Sequence, residues 1–177
     1  MTTLQPADAP ADAPADAPAG PQVRVVGMRH PLVRPVLADL AVEYGRRYGH
    51  LPGVVERELT AYPVEEFEPP HGLLLLLVED GAAVAAGAYR RHDARTAELK
   101  RIWTHPRHRR RGLARRVVAE LEAAAAAAGY RHVHLTTGPR QPEARHLYLA
   151  AGYAPRFDLS ADPETIGPLP FRKDLLG

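Results

Sequence analysis

The chain has 177 residues, of which 45% are apolar and 25% charged, with a formal net charge of +2 at pH 7, values that fit one globular domain plus a tail. It contains no cysteine, which excludes disulfides, thiolate metal sites and a cysteine-based covalent route. It starts without the pattern of a secretory signal, and its longest apolar run (72–78) is too short to span a bilayer, so we expect a soluble cytoplasmic protein without a membrane partner.

The first 22 residues differ from the rest in composition. Residues 6–19 repeat Pro-Ala-Asp-Ala with a period of four, which offers too little apolar bulk to offset the entropy lost on ordering. We therefore predict a disordered tail over residues 1–22 and one domain over 23–177. The tail holds three aspartates and no basic residue, so removing its −3 from the chain's +2 leaves a body of +5, which suits an anionic ligand.

The first half of the body combines helical and strand patterns. Residues 23–28 are β-branched and predict a strand, and apolar spacing from 32 to 48 predicts a helix. A shorter helix is predicted over 54–62. Residues 72–91 then predict two strands joined by a turn at Glu-Asp-Gly, which indicates a hairpin.

A third strand is predicted over residues 96–104. Its two aliphatic residues, Leu99 and Ile102, lie three positions apart, so strict alternation would send them to opposite faces of a sheet. A bulge near Lys100 and Arg101 would turn both toward one core and leave backbone groups unpaired there. A strand that is buried on both faces fits the pattern equally well.

The second half of the body continues with alternating helices and strands. Helices are predicted over 112–128, ended by a glycine, and over 142–152, opened by a proline. Strands are predicted over 130–137, 153–159 and 169–175. The element order is then β-α-α-β-β-β-α-β-α-β-β, which indicates an α/β fold with a mixed sheet and helices on its faces.

The stretch HPRHRRRGLARR, residues 105–116, carries six arginines and two histidines around Gly112. It joins a strand to the start of a helix, where unpaired amides and the helix dipole attract anions, and Gly112 allows close approach to the backbone. These features indicate a phosphate-binding loop, and a solvated basic run is the plainer alternative.

Two other ligands fit the sequence poorly. The helix that follows the basic stretch becomes mostly alanine and no aromatic residues lie among the arginines, so we expect no nucleic-acid partner. His105 and His108 lie among positive charges, and the two histidines 132 and 134 have no clustered carboxylates beside them. We therefore expect no metal.

Residues 107–137 (RHRRRGLARRVVAELEAAAAAAGYRHVHLTT) and 141–153 (QPEARHLYLAAGY) resemble the GNAT-type N-acetyltransferases. The family's cofactor motif is Arg or Gln, two residues, Gly, any residue, then Gly or Ala, and Arg109, Gly112 and Ala114 occupy these places. The resemblance implies a GNAT-like mixed sheet flanked by helices, and acetyl-CoA as co-substrate without a metal.

The resemblance also implies which residues hold acetyl-CoA. Loop amides and arginines would surround the pyrophosphate, and the backbone of the preceding strand would pair with the pantetheine arm. Many members have Asn where this chain has Gln141, a departure that affects one side-chain hydrogen bond to the cofactor. Apart from Gln141, the implied cofactor residues are Ile102, Trp103, Thr104, Arg109, Arg110, Arg111, Gly112, Leu113, Ala114 and Arg115.

The family's reaction is direct attack of a primary amine on acetyl-CoA in a ternary complex. By resemblance, Tyr148 would protonate or stabilise the departing thiolate, and its phenol pKa near ~10 lies above a thiol's ~8.5. Glu98 would act as general base through water, and amides beside the bulge would stabilise the oxyanion. A core tyrosine and an exposed strand glutamate are the respective structural alternatives.

The sequence does not name the acceptor. A small-molecule amine is our first expectation, and a protein lysine or N-terminus is an alternative, as is a non-catalytic acyl-CoA sensor. Relatives bind acceptors in the region of residues 41–50 and 63–70, where Glu65, Glu66 and Glu68 could attract a cationic amine. The sequence leaves open whether the protein forms a homodimer.

Overall fold

The computed structural model describes residues 20–49, 53, 55, 59 and 61–175. The strands are β1 (Gln22–Val26), β2 (Leu73–Glu79), β3 (Ala82–Arg91), β4 (Thr96–Thr104), β5 (His132–Thr137), β6 (Ala154–Pro155) and β7 (Leu169–Asp174). The helices with described bounds are α1 (Val33–Tyr48), α2 (Leu113–Ala127), α3 (Pro142–Ala150) and the short α4 (Pro163–Ile166), and single 3-10 turns occur at Val64–Phe67 and Pro106–His108.

The seven described strands form one mixed sheet in the order β1-β2-β3-β4-β5-β7-β6. All neighbours are antiparallel except β4 and β5, which are parallel and joined by the crossover helix α2. This architecture confirms the predicted α/β fold. The β4–β5 pairing is short: Thr96–Glu98 pairs with His132–His134, and beyond these residues β4 and β5 no longer pair with each other.

The sheet has a separate apolar core on each face. Alternate residues of β2 divide between them, as the period of two requires. Leu75 and Leu77 pack with residues of α2 and α3, in what we call the α2/α3 core. Leu74 and Leu76 pack with residues of α1, in the α1 core. Helix α1 therefore covers the opposite face from α2 and α3.

The structure confirms a bulge in β4. The pairing of β3 with β4 shifts by one residue between Ala86 and Ala88, and Arg101, opposite this shift, has φ 59° in the left-handed region. Leu99 and Ile102 consequently both contact the α2/α3 core. The spacing of these two aliphatic residues was therefore the signature of the bulge.

Several boundaries differ from the sequence predictions. Gln22 belongs to β1 and pairs with Val78, so this strand starts one residue before the predicted 23 and ends at Val26 rather than at 28. Strand β6 is only two residues long and ends at Pro155, which has no N–H for a ladder hydrogen bond. Helix α4, which Asp162 caps by accepting from the Glu164 N–H, was not predicted.

Residues 1–19 of the predicted disordered tail (1–22) lie outside the described residues. Most of the helix predicted over 54–62 also lies outside them. No helix among the residues that the structure describes is long and apolar enough to cross a membrane.

Candidate active site

A cleft of about 640 Å³ opens where β4 and β5 cease to pair. The part of β4 that pairs with β3 but not with β5, residues 99–104, forms one wall. Thr136 and Thr137 at the end of β5 form the other. Backbone groups of β4 in this part have no β5 partner. The cleft therefore offers an extended ligand the backbone hydrogen bonds that a neighbouring strand would otherwise make.

The cleft passes through the sheet. Tyr44 of α1 and Tyr148 of α3 both line it, although these helices cover opposite faces. The gap between β4 and β5 connects the two sides. Two ligands could therefore approach one point from opposite faces of the sheet.

The α2/α3 side of the cleft ends at the N-terminus of α2. Gly112 precedes this helix with φ 74°, and a Cβ built on it would meet no atom within 4 Å, so space is open above its backbone. Arg110 also has a positive φ, 65°. Free amides at a helix start, beside a glycine without a side chain, form a site for phosphate. The loop and helix residues that line the cleft are Arg109, Arg110, Gly112, Leu113, Ala114 and Arg115.

The arginines of this loop do not all serve the cleft. Arg111 points to the end of β2, where its Nη1 and Nη2 lie 2.8 and 2.7 Å from the two carboxylate oxygens of Glu79. Its Nη1 also lies 2.7 Å from His108 Nδ1. The ion pair with Arg111 lowers the pKa of Glu79. Arg111, predicted to contact the phosphates, is therefore not among the residues that line the cleft, and its side chain anchors the loop.

An ion-pair network crosses the mouth of the cleft from α1 to α3. Arg47 pairs with Glu43 at 2.7 Å and with Glu143, and its Nη1 donates to the carbonyl of Arg140 at 2.6 Å. Glu43 also accepts from Arg109 at 3.2 Å. These contacts connect α1 and α3 with the loop of residues 105–112 before α2, which we call the phosphate loop after its predicted ligand.

Gln141 lies at the cleft, but its side-chain oxygen has protein partners. Its Oε1 accepts from Thr137 Oγ1 at 2.8 Å and from the Gly138 N–H at 3.2 Å. This oxygen therefore stabilises the turn between β5 and α3, and only the amide nitrogen of Gln141 is left to meet a cofactor.

Tyr148 is 6% exposed and lines the cleft. Its ring packs against Tyr153 and Phe171, with centroid distances of 5.6 and 5.7 Å. Burial, and secondarily the nearby Tyr44, raise the pKa of the Tyr148 phenol above its ordinary value. The phenol is therefore protonated at neutral pH and can donate a hydrogen bond into the cleft.

Glu98 lies on the α1 side of β4, because its neighbours Ala97 and Leu99 point into the α2/α3 core. It is 6% exposed, and its carboxylate lies 2.7 Å from Arg90 and 3.2 Å from Lys100. Glu98 is not among the described residues that line the cleft. The structure therefore brings Tyr148, but not Glu98, to the cleft.

The acidic loop before β2 also lies away from the cleft. Glu66 pairs with Arg90 at 2.8 Å, and Glu65 lies 3.7 Å from Arg29 at the surface. Glu65, Glu66 and Glu68 are all outside the set of described cleft-lining residues.

Sequence reasoning missed several residues of the cleft. The segment 41–50 was identified only as a whole, and the side chains of Glu43, Tyr44 and Arg47 line the cleft from it. Thr136 and Thr137 were missed because nothing in a strand pattern shows where its pairing ends. Groups of three or more metal-binding side chains do not occur within the described part of the chain.

Comparisons with known proteins show the family of the chain. Residues 37–153 match the model of the acetyltransferase (GNAT) family. A comparison with curated protein sequences gave no significant match. Because the family model spans more than half of the chain, the protein belongs to the GNAT acetyltransferase family and is an acyltransferase.

Solved structures show the same fold. A Klebsiella pneumoniae protein with the provisional assignment of acyl-CoA N-acyltransferase superposes with TM-score 0.67 and 22% identity, covering 88% of this chain and 98% of its own. The PaiA N-acetyltransferase of Thermoplasma acidophilum, in complex with coenzyme A, gives 0.66 and 13%, covering 86% and 98%. Aminoglycoside 6'-acetyltransferase type Ii gives 0.65 and 18%, covering 88% and 98%.

Proposed function

We propose that the protein transfers the acetyl group of acetyl-CoA to a primary amine by direct attack in a ternary complex. The observation that carries this proposal is the cleft that passes through the sheet. It gives the cofactor an approach on the α2/α3 side and the acceptor an approach on the α1 side. Two substrates can then meet without a covalent enzyme intermediate.

The residues present fit coenzyme A. The α2 N-terminus, with open space at Gly112, suits the pyrophosphate, and Arg109, Arg110 and Arg115 at the same end of the cleft supply positive charge. The β4 backbone at Ile102, Trp103 and Thr104 has no β5 partner on the cleft side, which suits an amide-containing arm. When bound, acetyl-CoA supplies an activated thioester.

The chemistry poses two proton problems. At pH 7 only about one part in ~2,000 of an alkylamine with a pKa near ~10.4 is in the neutral form that can attack. The free-energy cost of forming this neutral amine is roughly 4.6 kcal/mol. The amine nitrogen then forms a bond to the acetyl carbon while the carbon–sulfur bond breaks. Tyr148, which holds its proton at neutral pH, donates a hydrogen bond to the leaving sulfur, and the thiolate then takes its proton from solvent.

We propose Glu98 as the group that receives the amine proton through water. Its place on the α1 side of β4, the face by which the acceptor would enter, supports this role. Glu98 itself does not line the cleft, although its partner Lys100 does, so the proton would reach it through a water molecule. Its ion pairs with Arg90 and Lys100 hold the carboxylate in one orientation.

A small amine is the acceptor class that we propose first. One structural neighbour is by name an aminoglycoside acetyltransferase, which supports a small amine as the first class to test. The test is a panel of small amines and lysine-containing peptides, with thiol release from acetyl-CoA as readout and mass spectrometry of the products. Acetylation of small amines supports the proposal. Exclusive acetylation of peptides assigns a protein acceptor, and binding of acetyl-CoA without transfer to any acceptor assigns a sensor.

A further inference from the structure

Glu98 of β4 and His134 of β5 form the last pair of residues before the two strands separate. Both side chains lie on the α1 side of the sheet, because the residues that flank each of them in sequence point into the α2/α3 core. Two residues further along the same face, Lys100 of β4 and Thr136 of β5 line the cleft. Glu98 and His134 therefore lie side by side where the cleft begins.

His134 connects this pair with the surface. Its ring lies beside that of His92, with 4.9 Å between the ring centroids. Glu98 is 6% exposed, His134 is half-buried, and His92, which follows the end of β3, is exposed. The three side chains thus form a series that leads from the cleft to solvent.

The ion pairs of Glu98 require that a proton does not stay on it. The carboxylate lies 2.7 Å from Arg90 and 3.2 Å from Lys100, and these pairs exist only while Glu98 is ionised. A proton that reaches Glu98 disrupts them and has to leave before the next turnover. An imidazole is a stronger base than a carboxylate, so the neighbouring His134 is suited to take that proton.

We propose that His134 relays the amine proton from Glu98 past His92 to solvent. This inference rests on the proposed function, since it adds an exit for the proton that Glu98 receives. An ammonium loses two protons when it becomes an amide and the leaving thiolate gains one, so each turnover releases one proton. His134 takes up this proton and gives it to water, and ends the turnover neutral, as it began. It acts through Glu98 and touches neither substrate.

The groups around His134 set the pH range of this relay. His92 faces it from the end of β3, Glu98 and Lys100 from β4, and its register partner Arg172 from β7. Burial, and then His92, lower the pKa of His134, with Lys100 acting in the same direction and Glu98 and a β7 backbone group against it. His134 is therefore neutral at pH 7, as a proton acceptor must be.

The test compares His134→Gln with the matched control His132→Gln. His132 lies on the same face of the same strand, but it pairs with Thr96 instead of Glu98, and its Nδ1 lies 2.6 Å from Asp174. The acceptor probes are kanamycin, spermidine and a short lysine-containing peptide. The measurements are the single-turnover rate of acetyl transfer at increasing imidazole concentration and constant pH, the Kd of acetyl-CoA and the melting temperature.

His134→Gln should lower the single-turnover rate about tenfold in dilute buffer, because Glu98 then loses its proton only to water. Added imidazole should restore part of the rate in this variant and leave wild type and His132→Gln unchanged. The Kd of acetyl-CoA should stay within about twofold of the wild-type value. His92→Gln, which changes only an exposed side chain, should show a smaller loss that imidazole also restores, and it serves as second variant if His134→Gln does not fold.

Glu98→Gln separates this inference from the proposed function. Wild-type rates in both histidine variants, with Glu98→Gln impaired, would overturn the relay and leave the role of Glu98 intact. A slow His134→Gln that imidazole does not accelerate would also overturn the relay, because the loss would then be structural. An unimpaired Glu98→Gln would remove the base and the relay together. No transfer by the wild type to any of the probes would overturn the proposed function, and this inference with it.

Discussion

Glu43 of α1 and Arg109 of the phosphate loop form an ion pair at the mouth of the cleft, with 3.2 Å between Oε2 and Nη2. In the proposed complex, Arg109 lies near the pyrophosphate. A carboxylate beside it then competes with the phosphate for the guanidinium and repels the anion directly. We therefore expect Glu43 to weaken cofactor binding while it connects α1 to the loop.

We expect Glu43→Gln to bind acetyl-CoA more tightly, by up to about fivefold at low salt, as suits a partly exposed ion pair. The gain should shrink as salt screens the charges. Titration calorimetry at two salt concentrations measures both effects. Glu79→Gln is the control, because Glu79 pairs with Arg111 away from the cleft, and it should give no gain. Equal affinities of Glu43→Gln and wild type at low salt would contradict this account.

A second prediction concerns the charge tolerated above Gly112. Asn and Asp are close in shape and are the residues that best adopt a positive φ, so Gly112→Asn and Gly112→Asp share the cost of φ 74°. A Cβ there meets open space, so neither should clash. The Asp variant alone places a negative charge at the pyrophosphate, and we expect it to bind acetyl-CoA at least about tenfold more weakly than the Asn variant. Equal affinities in two folded variants would remove the pyrophosphate from this loop.

A third prediction concerns pH and His134. Burial, and then His92 at a ring-centroid distance of 4.9 Å, lower the pKa of His134, with Lys100 acting in the same direction and Glu98 and the Phe171 backbone against it. As pH falls below about 6.5, His134 therefore becomes protonated in the unfolded chain before it does so in the folded one. The contribution of neutral His134 to the free energy of unfolding is complete above that pH and is lost progressively below it.

Melting temperatures between about pH 7.5 and pH 5 measure this effect. His134→Gln should lose less stability than wild type over that range. Parallel curves for His134→Gln and wild type would show that His134 does not titrate as described.

The sequence predicted the sheet and its three long described helices, because periodicity and turn residues act locally. The spacing of Leu99 and Ile102, both aliphatic and three apart, indicated either a β4 bulge or a strand buried on both faces, and the structure shows the bulge. It could not show that Arg111 pairs with Glu79, because that contact joins elements 32 residues apart and Arg111 looks like its neighbours. Glu43, Tyr44 and Arg47 of α1 were missed for the same reason. An amphipathic pattern shows which side of a helix is buried, but not which residues at the margin of that side line a cleft.

The tail gives a prediction with an internal control. We expect deletion of residues 1–19 to leave the melting temperature and the affinity for acetyl-CoA unchanged, because a Pro/Ala/Asp repeat has little to pack. Deletion of residues 1–22 should lower the melting temperature, since it removes the Pro21 carbonyl that accepts from Arg116 at 2.7 Å and the Gln22 pairing in β1. A drop of several degrees on removing 1–19 alone would show that the tail docks on the domain.

The last prediction tests Tyr148 as the donor to the leaving sulfur. Tyr148→Phe keeps the ring contacts with Tyr153 and Phe171 and removes only the hydroxyl. If that hydroxyl stabilises the thiolate mainly in the transition state, kcat should fall about 10²-fold or more while the Kd of acetyl-CoA changes little.

A purely structural tyrosine predicts a different pattern. Turnover of Tyr148→Phe would then match the wild type, and only Tyr148→Ala would lower activity, through the cavity it leaves.

The raised pKa of the phenol adds a second readout. Because Tyr148 keeps its proton above pH 10, its donor role should persist through that pH. Any alkaline fall in kcat below pH 10 should therefore be the same in wild type and Tyr148→Phe. Rates must be measured under single-turnover conditions, where slow product release cannot mask the chemical step. Wild-type single-turnover rates in Tyr148→Phe would remove the hydroxyl from the reaction.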